Sequence, residues 1–496
     1  MRKKLLFALA LVCAYFVGCA DYDDSSDNHS VGPNEKEAVI DTARYTVIIY
    51  GNAGGDMDSI IEGVYEQMPS LMKSKDVRVF FTYKYGADSS VVGYDEDDNL
   101  IKTPFNGKYA EPGQLVAFEM TKDLDLDTIK DHARMAGESI MMHDPGRLTS
   151  VLDYVADSLP AKDYVLVFWG HGQGFDFDVD FPELHANRTA LAKSQDLAAV
   201  MYDEWTLDLE TGVKDGMNIY EIKEEIENSK IKHLAGLYFH NCFMGNFETL
   251  SEVYTVADYM VASEHVLESD GTLILNLVKE LYKKDSFQEA VKASFKDSKD
   301  HWRKENKKMK QNGDLSLLKS SEISSFFPIF KDIAKRLNTL YEDPKQKDII
   351  DNAVLGSYYT GEWDSEIFFN DVIFFANVLA SFTEDSSLIA STKELKKAYE
   401  RLVVDYIDAH YSDGNDILSF SLSVLLTPQS FYNDETVWGY TRKEAYENTT
   451  FHKKTGWGNL LSVLDGLDVL YEKLANLGDG DEGGSGDGDE GDSEEE

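Results

Sequence analysis

A chain of 496 residues with 48 basic and 90 acidic side chains carries a formal charge of −42. So negative a protein is a poor partner for nucleic acid, whose binding rests on neutralising phosphates with Lys and Arg. Past residue 19 no run reaches about eighteen apolar residues, so no transmembrane helix is expected.

The N-terminus places Arg2, Lys3 and Lys4 before an apolar core of thirteen residues, Leu5 to Val17. That core is too short to span a bilayer and has the layout of a cleaved signal peptide over residues 1–18. It ends Phe16-Val17-Gly18-Cys19, which resembles a lipobox, with Cys19 as the lipidated first residue after cleavage. Plain secretion is the alternative, because Phe16 stands where Leu is more usual. Of the three cysteines, Cys13 leaves with the signal and Cys19 carries lipid. Cys242 therefore has no cysteine to bond with, and in an exported chain it reads either as a reactive thiol or as a small buried hydrophobe.

Residues 19–43 are polar and acidic, a tether. Tyr45 to Gly51 is a β-branched strand stopped by the turn GNAGGD, and Asp58 to Met72 has helical spacing. Strands follow at Asp76 to Tyr85 and Gln114 to Met120. Then come a helix at Leu148 to Leu159, a strand at Asp163 to Gly172, a helix at Asn218 to Ser229 and a strand at His233 to Cys242. A helix at Phe247 to Ala257 and a strand at Asp258 to His265 close this region. Strands that alternate with helices and are apolar on both faces predict an α/β fold, a largely parallel sheet covered by helices on each side. Ligands of such sheets bind beyond the carboxyl ends of the strands, where both His171 and Cys242 fall.

Beyond about residue 272 the pattern becomes mostly helical, with segments at Ser286 to Lys310, Ile323 to Tyr341, Phe368 to Phe382 and Leu388 to Tyr411. A late strand at Asp416 to Pro428 and a closing helix at Trp457 to Leu474 follow. The expected organisation is a catalytic region over 44–272, a C-terminal lobe over 273–474 and a tail over 475–496. The last eighteen residues hold ten carboxylates and no base, so the tail is expected to be disordered. Neither the tail nor Asp176 to Asp180 has the spacing of a calcium motif; calcium is the alternative at either place, a solvated acidic face fits both better, and no cofactor is expected. A metal site built on His171, His185 and His240 lacks a closely spaced ligand pair.

VLVFWGHGQGF sets His171 between glycines directly after an apolar strand, and LYFHNCFMGNFE does the same for Cys242 before a helix. Glycines let backbone approach closely, and a cysteine near a helix start and an imidazole has its thiolate favoured. On residue types alone, each feature is more often structural; together, on adjacent strand ends, they weigh thiol catalysis and a structural role about equally.

At these residues the sequence resembles the clostripain family of cysteine peptidases, relatives of caspases, gingipains and legumains. The matching histidine motif is Trp169, His171, Gly172 and Gly174; the matching cysteine motif is Cys242, Met244 and Gly245 with Glu248. Val261 to Glu264, the SLSVLLTP strand and the Tyr446, Phe451, Thr455, Trp457 ending extend the similarity over about Tyr45 to Leu461. The resemblance implies a caspase-like α/β/α sandwich, a Cys242–His171 dyad and an oxyanion hole from the N–H groups of Gly172 and Cys242. It also implies a peptide or protein substrate, no cofactor and, with the lipobox, an exported protein anchored to the bacterial envelope. The family's acidic residue two positions before the cysteine, which favours Lys or Arg at P1, is His240 here. Asp270 is the nearby carboxylate expected to line the same pocket, and Arg188 and Lys193 are candidate self-cleavage points in the long segment between the motifs. A second reading is a weak or inactive relative that binds peptides or glycans; His240 favours it, and the intact His171, Gly172 and Cys242 oppose it.

Overall fold

Runs of β-branched and aromatic residues bounded by glycine and polar turns build one central sheet, seen in a computed structural model. The structure describes residues 41–52, 55, 57–86, 90–94, 100–132, 134–135, 142–172, 174–175, 201–202, 216–267, 271–308, 313–357, 369–409, 422–434 and 440–468. The signal sequence, the tether up to residue 40, the self-cleavage candidates and the acidic tail lie outside these residues; Ala43, the last residue of the expected tether, already belongs to the first strand.

The main sheet takes β1 (Ala43–Asn52), β2 (Val77–Lys84), β3 (Gln114–Met120), β4 (Arg134–Met135), β5 (Ala161–Trp169), β6 (Leu234–His240), β7 (Ala257–Ala262), β8 (Gly313–Lys319) and β9 (Val403–Ala409). Their order across the sheet is β9-β8-β7-β6-β5-β1-β2-β3-β4. The five central strands, β7, β6, β5, β1 and β2, are parallel. Antiparallel strands extend both edges, β8 and β9 on one side and β3 and β4 on the other. Strands buried on both faces need helices above and below, and the core divides accordingly.

On one face Ile48, Leu166, Phe168, Leu237 and Phe239 share a core with Leu148, Ile222 and Leu250. These last three come from helices α1 (Arg147–Ser158), α2 (Ile219–Asn228) and α3 (Phe247–Val253). On the other face Val47, Ile49, Val165, Val167, Trp169 and Tyr238 pack against Ile61, Val64, Leu277 and Val291. The alternation along each strand is the period-two pattern of a sheet with two covered faces. The elements expected from Tyr45 through Cys242 are found within three residues of their sequence limits, Asp58 to Met72 as a helix followed by a 3₁₀ turn. Helix α2 carries a full capping box, Asn218 with Glu221.

Several segments differ from the sequence reading: the helix expected over Phe368 to Phe382 begins as a short strand, Phe369–Asp371, and the one expected over Trp457 to Leu474 is interrupted after Leu461. The helix expected over Leu388 to Tyr411 ends at Leu402, and Val403–Ala409 pairs with β8 as an edge strand. Alternating Val403, Asp405 and Ile407 suit a strand once β8 is present to pair with it, and such tertiary pairing overrides local helical spacing. Strand β8 itself, GDLSLLK, carried no helix-or-strand expectation. Both strands belong to the region read as a C-terminal lobe packed on the first, and both join the main sheet.

C-terminal elements close over α3 through carboxylates. Glu248, in the first turn of α3, is fully buried and accepts from Tyr446 Oη at 2.7 Å and from the Leu425 N–H at 3.1 Å. Glu252 accepts from the Thr450 N–H and from Thr450 Oγ1. Burial pushes the Glu248 carboxyl up from its ordinary 4.5 to about 7, outweighing the two hydrogen bonds. A raised carboxyl pKa means that the stabilisation is complete below about pH 4.5 and is lost as pH rises through about 7. Glu248→Gln keeps an acceptor oxygen and removes the proton dependence. Urea unfolding of the variant at pH 5 and pH 8 should show a pH-dependent loss about 2–3 kcal/mol smaller than that of the wild type. An unchanged difference would mean that Glu248 does not titrate in this range.

Candidate active site

The site is set by strand register. β5 and β6 are neighbouring parallel strands, and His240, the last residue of β6, pairs with Trp169, the last residue of β5. His171 and Cys242 each lie two residues further on. Neighbouring strands run about 4.8 Å apart, so equal offsets from a paired position bring the two residues side by side at the carboxyl edge of the sheet. Cys242 packs at the margin of the core formed by Val165, Val167, Trp169 and Tyr238.

The two loops are laced together. Asn241 is buried and donates from Nδ2 to the carbonyls of Gly170 at 2.9 Å and His171 at 3.0 Å. The Gly170 N–H bonds back to the His240 carbonyl at 3.4 Å. Gly172 lies against the cysteine backbone: a β-carbon there would sit 2.5 Å from the Cys242 carbonyl oxygen and 3.1 Å from its nitrogen. At Gly174 (φ +74°) a β-carbon would meet the Phe243 carbonyl oxygen at 2.5 Å. Gly172 and Gly174 are therefore required by close packing on the cysteine loop.

The cysteine loop has unusual backbone geometry. Phe243 has φ 61°, in the left-handed region that a bulky residue seldom adopts. Its N–H bonds to the His265 carbonyl at 3.1 Å and its carbonyl accepts from Asn246 Nδ2 at 2.9 Å. Asn246 also caps α3 through the Thr249 N–H at 2.8 Å. Cys242 is half-buried, and the Leu267 N–H lies 3.3 Å from its Sγ. A backbone donor on sulfur favours the thiolate.

His240 is buried, with its ring centroid 4.6 Å from that of Trp169 and 6.3 Å from that of Tyr238. The structure thus brings His171, Gly172, Cys242 and His240 together; Asp270, Arg188, Lys193 and Cys19 lie outside the described residues. Sequence reasoning missed Asn241, Phe243 and Leu267. Their partners are backbone groups or the nucleophile itself, up to 71 residues away in the case of Asn241, and no residue pattern announces such contacts. Among the described residues no group of three or more His, Cys, Asp or Glu side chains is arranged to hold a metal ion.

A half-buried thiol and an imidazole on adjacent strand ends of an α/β/α sheet define a candidate cysteine-hydrolase centre. The model of the clostripain family matches residues 119–462, and the chain belongs to that family of cysteine peptidases. Among solved structures, an inactive zymogen C11 protease from Parabacteroides distasonis superposes with a TM-score of 0.50 at 14% identity, covering 84% of this chain and 99% of that one. A secreted C11 cysteine protease from Bacteroides thetaiotaomicron gives a TM-score of 0.49 at 13% identity, with the same 84% and 99% coverage. No curated protein matches the chain. The fold is that of the C11 proteases.

Gly172→Ala should separate the two loops. Its β-carbon meets backbone on two sides, so the substitution should lower any activity of the site by at least about 100-fold, the scale of losing one backbone donor, while far-ultraviolet circular dichroism stays unchanged. Full activity in the variant would show that the loops are not packed as described.

Proposed function

We propose that the protein is a cysteine endopeptidase working through a Cys242–His171 dyad. The observation that supports this reading is the Trp169–His240 register, with His171 and Cys242 each two residues beyond that pair on loops joined by Asn241. Both residues fall within 119–462, the span matched by the clostripain-family model, and membership in that family of cysteine peptidases supports the reading.

In the proposed reaction the Cys242 thiolate attacks the scissile carbonyl carbon. The carbonyl electrons move to oxygen, where the N–H groups of Gly172 and Cys242 receive the charge. Removing one such donor in other enzymes costs about 3–4 kcal/mol of transition-state stabilisation. Collapse breaks the C–N bond as His171 gives its proton to the leaving amine. Water then cleaves the thioester, with His171 taking the proton back. The substrate is a peptide or protein, and these steps need no cofactor. The reading places catalysis in 44–272, with 273–474 as its supporting lobe.

Position 240 governs the expected P1 preference. A neutral or protonated imidazole supplies no carboxylate for Lys or Arg, so basic P1 preference is weakened even with Asp270 nearby. Self-cleavage after Arg188 or Lys193 belongs to the same reading. Profiling peptide-library cleavage by the chain without residues 1–19 tests it. Cys242→Ala should abolish cleavage, His171→Ala should nearly do so, and His240→Asp should raise turnover after Arg and Lys. Hydrolysis retained by purified Cys242→Ala would end the peptidase reading; an unchanged profile in His240→Asp would remove position 240 from the pocket.

The same reading anchors the protein to the bacterial envelope through lipid on Cys19. Among the described residues no helix is long and apolar enough to cross a membrane. Each buried CH₂ of an acyl chain contributes about 0.8 kcal/mol, so several chains hold firmly. Radiolabelled palmitate should enter the wild type and not Cys19→Ala. Wild-type protein free in the medium with an unmodified N-terminus would exclude the anchor.

A further inference from the structure

Beside the cysteine loop lies a buried acid–imidazole pair that the dyad mechanism does not use. Asp314 is the second residue of β8, and its carboxylate is almost wholly buried. It reaches past the end of β7 to the segment Ser263 to Leu267. Its Oδ1 lies 2.8 Å from His265 Nδ1 and accepts from Ser263 Oγ, the Glu264 N–H and the His265 N–H, each at 3.1 Å. Its Oδ2 lies 3.3 Å from the Glu264 N–H. A buried carboxylate is tolerated when donors surround it in this way, and removing it leaves those donors buried without an acceptor. The cross-strand neighbour on β9 is Asp408, whose carboxylate is held by Arg303 at 2.9 Å.

The segment that Asp314 pins is also the one that holds the nucleophile. The Gly245 N–H bonds to the Ser263 carbonyl at 2.6 Å, the Phe243 N–H bonds to the His265 carbonyl at 3.1 Å, and the Leu267 N–H reaches Cys242 Sγ at 3.3 Å. Three consecutive odd positions of the segment thus bind three positions of the cysteine loop. The left-handed Phe243 persists because the surroundings over-determine it.

We propose that Asp314 and His265 are positioning residues for the nucleophile: the pair locks Ser263 to Leu267 in the conformation that delivers the Leu267 N–H to sulfur and holds Phe243 in its left-handed turn. The pair acts through backbone, and it sets how readily Cys242 ionises and how steadily Sγ points. The inference deepens the peptidase reading and rests on it for turnover alone, since the bond to sulfur exists whatever the thiol attacks.

The experiment measures the rate of Cys242 alkylation by iodoacetamide against pH on the full chain, with the modified peptide identified by mass spectrometry. Alkylation needs no peptide cleavage, so it remains decisive if the wild type proves not to be a peptidase. Asp314→Ala and His265→Ala should raise the midpoint of the pH profile by about half a pH unit or more, as expected on losing a donor to the thiolate. Where a cleaved peptide is known, kcat should fall about tenfold with KM within about twofold, the signature of a group that matters in the transition state. His265→Asn can place an amide N–H near the former Nδ1 position and should return both quantities toward wild type. A role in stability alone would lower the unfolding temperature and leave the alkylation midpoint where it was. If Asp314→Ala does not fold, the His265→Ala and His265→Asn pair decides, because that side chain lies at the edge of the buried site. A wild-type midpoint in folded His265→Ala overturns the proposal.

Discussion

The site depends on the parallel pairing of β5 with β6. Register between two strands is set by which residues can be buried on each face, and a slip of one residue would turn every side chain to the opposite face. Here Leu166, Phe168, Leu237 and Phe239 must enter one core, and Val165, Val167, Trp169 and Tyr238 the other. Those eight apolar side chains fix the Trp169–His240 pair, and that pair fixes where the next two residues of each chain emerge. The alignment of His171 with Cys242 is thus a consequence of core packing several residues below. Asn241 and Gly172 then hold the two loops in contact, one by hydrogen bonds and one by lacking a side chain.

Support for this edge comes from chain far along in the sequence. β8 supplies Asp314 to the segment that faces the cysteine loop, and the later elements supply the Leu425 N–H, Tyr446 Oη and Thr450 to the carboxylates of α3. The Ser423 N–H bonds to the Gly245 carbonyl at 2.9 Å, two residues beyond the loop's left-handed turn. The C-terminal region therefore buttresses the cysteine loop through the segment that follows β7 and through α3. Much of that buttress is ionisable and buried, so stability of the loop and pH are linked through groups that need not touch substrate.

The parallel centre of the sheet was legible because its strands are apolar on both faces and end in glycine or polar turns. His171 and Cys242 were legible because a histidine between glycines and a lone thiol each stand at such an end. Strand β9 was not: VVDYIDA follows a good helix without a break, and only pairing with β8 makes it a strand. Asn241 and Asp314 were not legible either. An asparagine or aspartate in a sequence carries no sign of which distant backbone N–H or carbonyl it will meet. His240 was readable as a departure from the family's acidic residue, while its packing on Trp169 was not, since that contact follows from register.

The central claim, that the strand ends make Cys242 a nucleophile activated by His171, is tested most directly with a peptidyl ketone electrophile. Its rate of covalent attachment to Cys242 is followed by mass spectrometry in wild type and in His171→Ala. The account predicts rapid labelling of the wild type at Cys242 and a loss of at least about 100-fold in the variant, the scale of removing a positioned acid–base group. Equal labelling rates in the two proteins would contradict it.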